Sequence, residues 1–93
     1  MPEMRFHIRW PDGSRDACYS PSLVIKDHLA VGQDYTVAEF VALSRLALGI
    51  ASERVREKYG FACSSALDQL ARIEAGAKRQ APGGRVAVER FEP

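Results

Sequence analysis

The sequence has little cysteine and almost no net charge. Two cysteines occur among 93 residues, and 13 basic against 12 acidic side chains leave a formal net charge of +1. So small a net charge provides no overall field that would attract nucleic acid or an acidic membrane surface. Because the N-terminus carries no export signal, we expect a cytoplasmic protein whose cysteines are reduced thiols rather than a disulfide.

Long apolar runs and known catalytic motifs are also missing. The opening segment MPEMRFHIRW interrupts its apolar residues with charged ones, so neither a signal peptide nor a membrane span is predicted. No glycine-rich phosphate loop, G-x-S-x-G turn or H-E-x-x-H motif occurs. His7, Cys18, His28 and Cys63 match no metal-ligand spacing. We therefore expect no metal and no other cofactor, and these absences weigh against a self-sufficient enzyme.

What is present is typical of one globular domain over residues 1–93, with 46% apolar and 27% charged residues. Residues 4–10 alternate apolar and charged side chains, which predicts a strand. The turn sequence PDG follows, so Ser14 to Tyr19 should fold back as a second strand.

Two registers are open for this hairpin. Turn chemistry sets Trp10 against Ser14, whereas side-chain pairing favours Pro11 against Ser14 because it avoids placing Arg9 opposite Arg15. We favour the second register, or a bulge that reconciles the two.

The clearest helix signal is Thr36 followed by Glu39, a capping box that predicts a long helix ending at Tyr59 before Gly60. The remaining segments have weaker signals. They are a short helix from Ser20 and Pro21 to about Leu29, in which Leu23 to Ile25 is also strand-like; a helix from Ser65 to about Lys78 capped by Ser64; and a strand from Arg85 to Phe91.

The predicted order is therefore ββαααβ, in the α+β class. A three-stranded sheet, made of the hairpin and the C-terminal strand, would pack against two long helices and one short helix. The strand over residues 4–10 has the most apolar face, so we expect it in the centre with the C-terminal strand on its free edge.

The long helix has two apolar stripes, although one sheet can cover only one of them. The second stripe consists of Leu43, Leu46 and Ile50, which we predict to meet another helix or another subunit. Gly49 lies nearby on a narrow strip of small residues. It permits close packing there, or it is simply a tolerated surface glycine.

Two further groups are candidate sites. Cys63 precedes a predicted helix N-terminus, which could activate its thiol, but a free cysteine more often fills a buried corner. Arg5, His7 and Arg9 form a basic face on the first strand that could contact an anion, but a solvated outer sheet face is the simpler interpretation.

The segments RWPDG, CYSPS and ERVREKYGFACS resemble the small bacterial nitrogen-starvation response proteins that are encoded beside nitrilases. The resemblance spans nearly the whole chain. It implies a role in assimilating nitrogen from nitriles or cyanide when nitrogen is scarce, and it implies no specific reaction or catalytic residue.

Two functions follow as hypotheses. The first is a non-enzymatic accessory or regulatory protein of such a pathway, which self-associates or docks a pathway enzyme encoded nearby. The alternative is a small thiol-dependent enzyme or small-molecule carrier that uses Cys63. Contact with nucleic acid or with a membrane is not expected.

Overall fold

Four antiparallel strands form one sheet, and two α-helices cover one of its faces. The computed structural model describes residues 3–61, 64–81 and 83–92. The strands lie side by side in the order β2-β1-β4-β3. The elements are β1 (Met4–Arg9), β2 (Arg15–Ser20), a 3-10 helix (Leu23–Asp27), β3 (Asp34–Thr36), α1 (Val37–Tyr59), α2 (Ser64–Lys78) and β4 (Arg85–Glu92).

The α+β class is as expected, but the three-stranded sheet with an additional short α-helix is wrong. The additional strand, which the sequence did not predict, is β3. It pairs with β4 and places Tyr35 opposite Val86. It forms because β1 covers only one edge of β4, which leaves the other edge for pairing. The expected short α-helix is the 3-10 helix, and its N-cap is Ser22, whose side chain accepts a hydrogen bond from the N–H group of Val24.

The hairpin adopts the register that we did not favour. Arg9 lies opposite Arg15, and the N–H group of Trp10 donates to the carbonyl oxygen of Ser14 at 2.8 Å. The like charges are tolerated because Glu89 on β4 neutralises both. Its carboxylate is 3.1 Å from Arg15 and 3.8 Å from Arg9.

Glu89 reaches this position through a bulge in β4. The pairing of β1 with β4 shifts between His7 and Ile8, so that Ile8 is paired with Val88 whereas His7 is paired with Arg90. The extra residue changes which side chains face the helices. As a result Val88 on one side of the bulge and Phe91 on the other both pack against the core.

The core lies between the inner face of the sheet and the helices. Trp10 is its largest fully buried side chain, and its ring meets Phe40 edge-on with the ring centroids 5.7 Å apart. The indole N–H group of Trp10 donates to Asp16 at 2.7 Å, so the polar atom of the ring is also satisfied. The other buried apolar residues include Met4, Phe6, Ile8, Cys18, Ile25, Leu29, Ala47, Leu48, Ala66, Ile73, Val86 and Val88.

The predicted ends of α1 are confirmed. The hydroxyl of Thr36 accepts from the N–H group of Glu39 at 3.1 Å, and the Glu39 carboxylate accepts from the N–H group of Thr36 at 3.0 Å. These hydrogen bonds with Thr36 lower the pKa of Glu39. Gly60 ends the helix with a φ of 85°, a left-handed conformation that favours glycine. Within the described ranges, neither helix is long and apolar enough to cross a membrane.

Candidate functional site

The outer face of α1, defined here by Arg45, Leu46, Gly49, Ile50 and Glu53, carries apolar groups that the core does not cover. These five residues line one shallow depression of about 460 Å³. Leu46 has 51% of its surface exposed, and Ile50 is half-buried. Leu43, the third member of the predicted stripe, instead packs against the margin of the core. Leu46 and Ile50 thus remain together on a solvent-facing surface.

Gly49 provides open space in the middle of this outer face. A Cβ atom placed on Gly49 would meet no atom within 4 Å outside its own helical turn. Close packing within the described chain therefore does not explain the glycine. A second helix could approach the backbone of α1 here more closely than at any larger side chain.

An apolar groove continues the outer face toward the N-terminus of α1. It has a volume of about 660 Å³ and lies between α1 and the C-terminal half of α2. Small and branched side chains such as Ala38, Val41, Ala42 and Ala77 line it, and Arg45 borders both depressions. Apolar surface therefore extends over more than two turns of α1.

Opposite charges flank Gly49 on this face. Arg45 lies one helical turn before Gly49 and Glu53 lies one turn after it. Each has a partner within its own chain: Arg45 approaches Glu74 at 3.5 Å, and Glu53 accepts from Arg56 at 2.9 Å. The hydrogen bond from Arg56 lowers the pKa of Glu53. Both ion pairs are exposed. Arg45 and Glu53 can therefore exchange these partners for others at little cost in free energy.

One of the two cysteines, Cys18, lies in the described part of the chain. Cys18 is buried on β2, and burial raises the pKa of its thiol to about 12. It is therefore a neutral core residue at physiological pH. Cys63 lies outside the described residues, and its reactivity stays a prediction. Because Cys18 is inaccessible, iodoacetamide labelling of the folded protein reports on Cys63, and labelling no faster than for an ordinary free thiol would remove the thiol-enzyme hypothesis.

The predicted basic face is divided by its neighbours. Arg9 approaches Glu89, and His7 Nε2 lies 2.9 Å from a carboxylate oxygen of Glu92. This hydrogen bond lowers the pKa of Glu92. Arg5 lines a cleft together with residues of α2. No sequence signal linked Arg5 to α2, because the two are distant in the chain and are brought together by the packing of α2 against β2.

No group of three or more His, Cys, Asp or Glu side chains in the described part of the chain could hold a metal ion. The described site is therefore a surface with apolar and charged groups. Its residues can contact a partner, but they include no adjacent nucleophile and base.

Comparison with known proteins places this chain in a family. The model of a family described as nitrogen starvation-induced protein NitG matches residues 5–91, and the chain belongs to that family. No curated protein and no solved structure matches the chain. The family description concerns induction under nitrogen starvation, which agrees with the resemblance found in the sequence.

Proposed function

We propose that this protein is a non-enzymatic accessory or regulatory component of a nitrilase-associated nitrogen-starvation pathway, and that it acts by association through the outer face of α1. Membership of the starvation-induced family supports the biological setting. The link to nitrilases rests on the resemblance of the sequence to proteins encoded beside them. The observation that carries the mode of action is the solvent-facing patch at Leu46, Gly49 and Ile50.

The preferred partner is a second copy of the chain. In a two-fold symmetric dimer, two α1 helices crossing antiparallel at Gly49 bring each Arg45 toward the Glu53 of the other copy. The two residues lie at equal distances from the glycine, so the antiparallel crossing aligns Arg45 of one copy with Glu53 of the other, and the two-fold axis makes the pair occur twice. The same surface patch is thus complementary to itself in charge, and this is the requirement for a symmetric interface.

Apolar burial would accompany these charge pairs. Leu46 and Ile50 flank Gly49, so an antiparallel crossing covers both side chains in each copy. Removing apolar surface from water contributes about 25 cal/mol for each Å², which makes Leu46 the largest single contributor on this face. The groove beside Ala38 and Ala42 extends the apolar area available to the second copy.

The first experiment measures molecular mass by light scattering over a concentration series. We expect the wild-type protein to dimerise, and Leu46→Glu to weaken the dimer by about tenfold or more because it buries a charge. Leu67→Glu is the matched control, since Leu67 on α2 is also 51% exposed but does not line this face. Circular dichroism checks that both variants fold.

The second experiment tests the geometry. Arg45→Glu and Glu53→Arg should each weaken the dimer by placing like charges together, and the double variant should restore it. A wild-type protein that stays monomeric throughout the series contradicts self-association. Mixing the protein with a purified nitrilase of the same cells then tests docking to a pathway enzyme, and absence of that complex as well would overturn the proposed function.

A further inference from the structure

A polar cleft lies between the N-terminal half of α2 and the strands β1 and β2. Its volume is about 260 Å³, and its lining residues are Arg5, Tyr19, Ser65, Asp68, Gln69 and Arg72. This volume is below the roughly 300–1,000 Å³ of sites for drug-sized ligands, so the cleft suits a small metabolite. None of these residues belongs to the outer face of α1.

Two arginines, Arg5 and Arg72, line the cleft, and neither has a carboxylate within ion-pair distance in the described part of the chain. The charge of Arg5 also acts on Glu92, which lies opposite it in the sheet. Most of the other arginines are paired: Arg9 and Arg15 with Glu89, Arg45 with Glu74, Arg56 with Glu53 and Arg85 with Asp34. Two guanidinium groups that share one concave surface attract carboxylates, which they can bind through two parallel hydrogen bonds.

Gln69 adds an oriented donor. Its side-chain oxygen accepts from the N–H group of Tyr19 at 2.9 Å, and this contact fixes which end of the amide is oxygen. The amide nitrogen is left to donate. The same contact holds α2 against the edge of β2, so the cleft is formed by elements that are fixed relative to each other.

Among the described residues that line the cleft, Asp68 is the one acidic side chain. It precedes Arg72 by one helical turn on α2, yet the two form no salt bridge. The lining therefore presents two positive charges and one negative charge. A ligand with two carboxylates and one ammonium group has the complementary set.

We propose that this cleft binds an acidic α-amino acid, with its carboxylates on Arg5 and Arg72 and its ammonium group on Asp68. The site is separate from the outer face of α1, so binding and dimerisation can fail independently. A protein with both features would carry a small-molecule signal to an associated partner.

Two-dimensional ¹⁵N NMR titration of the full chain tests this proposal. L-glutamate is the probe, glutarate is the analogue without the ammonium group, and L-glutamine is the analogue without the second carboxylate. We expect saturable shifts at the cleft amides with L-glutamate, and affinity lower by about tenfold for each analogue. No saturable shift at about 10 mM L-glutamate, where a site with a Kd of about 1 mM would be nearly filled, overturns the proposal.

Three variants assign the contacts. Arg72→Gln should weaken binding of L-glutamate by about tenfold. Asp68→Asn should weaken binding of L-glutamate but not of glutarate, because the Asp68 carboxylate attracts an ammonium group and repels a ligand that has only carboxylates. Arg90→Gln is the matched control, because Arg90 is an exposed arginine of the neighbouring strand β4 that does not line the cleft. If Arg90→Gln weakens binding as much as Arg72→Gln, the attraction is a general charge effect and the proposed site is wrong.

Discussion

Each α-helix contains a glycine, and the two glycines lie in opposite surroundings. Gly76 on α2 is buried against Trp10, where an added Cβ atom would lie 2.8 Å from the indole ring. Gly49 on α1 faces open space. The same residue type therefore serves tight packing inside the fold in one helix and leaves an uncovered backbone surface in the other. We infer that the region around Trp10 determines stability, whereas the region around Gly49 is available for association.

The largest expected effect follows from removing Trp10. Trp10→Ala deletes the ring that contacts Phe40 and Gly76 and that satisfies Asp16, so we expect the free energy of unfolding to fall by about 3–5 kcal/mol. Urea unfolding followed by circular dichroism measures it. Leu46→Ala, on the outer face of α1, should change the monomer by no more than about 0.5 kcal/mol. Equal losses in the two variants would contradict the division between the regions.

Gly76→Ala should have an intermediate effect. The new methyl group has to displace the indole ring of Trp10, and overpacking of this kind costs about 1–3 kcal/mol. The higher helix propensity of alanine offsets up to about 1 kcal/mol of that loss. The same unfolding measurement applies. Combining the substitution with Trp10→Phe, which provides a smaller ring, should recover part of the loss, and full additivity of the two changes would argue against direct contact.

Gly49→Ala should have the smallest effect, with the opposite sign. Nothing obstructs the methyl group, so the monomer should gain up to about 1 kcal/mol from helix propensity. The dimer should weaken, because the added methyl groups keep two crossing helices apart. Unfolding at low protein concentration measures the first effect, and light scattering measures the second. If the monomer is stabilised and the association constant is unchanged, the dimer interface does not include Gly49.

Local chemistry explains which parts of the fold were predictable. The capping box of Thr36 with Glu39 and the stop at Gly60 need only neighbouring residues, and both ends of α1 agree with the structure. The prediction of the hairpin register was wrong because Glu89 neutralises the unfavourable pair of Arg9 and Arg15. Glu89 belongs to a strand near the other end of the chain. Strand β3 was missed because three residues cannot show an alternating pattern.

In the candidate sites too, features set by neighbouring residues were predictable, and features set by distant segments were not. The excess apolar surface of α1 was visible in its sequence, but Leu43 reaches the core margin while Leu46 remains exposed, and only the tertiary packing decides which residue is covered. The basic face on β1 was also visible. Its division into Arg9 beside Glu89, His7 beside Glu92 and Arg5 in one cleft with Arg72 depends on the packing of distant segments.

The sequence by itself determined the α+β class, the ends of α1, the turn of the hairpin and the family of the protein. The first three depend on interactions within a few residues or on apolar periodicity, which any single segment displays, whereas the family follows from the match over residues 5–91. The tertiary structure decided the fourth strand, the hairpin register, the bulge at Glu89 and the cleft between Arg5 and Arg72. These features depend on charge pairs and sheet edges that exist only when segments far apart in the chain come into contact.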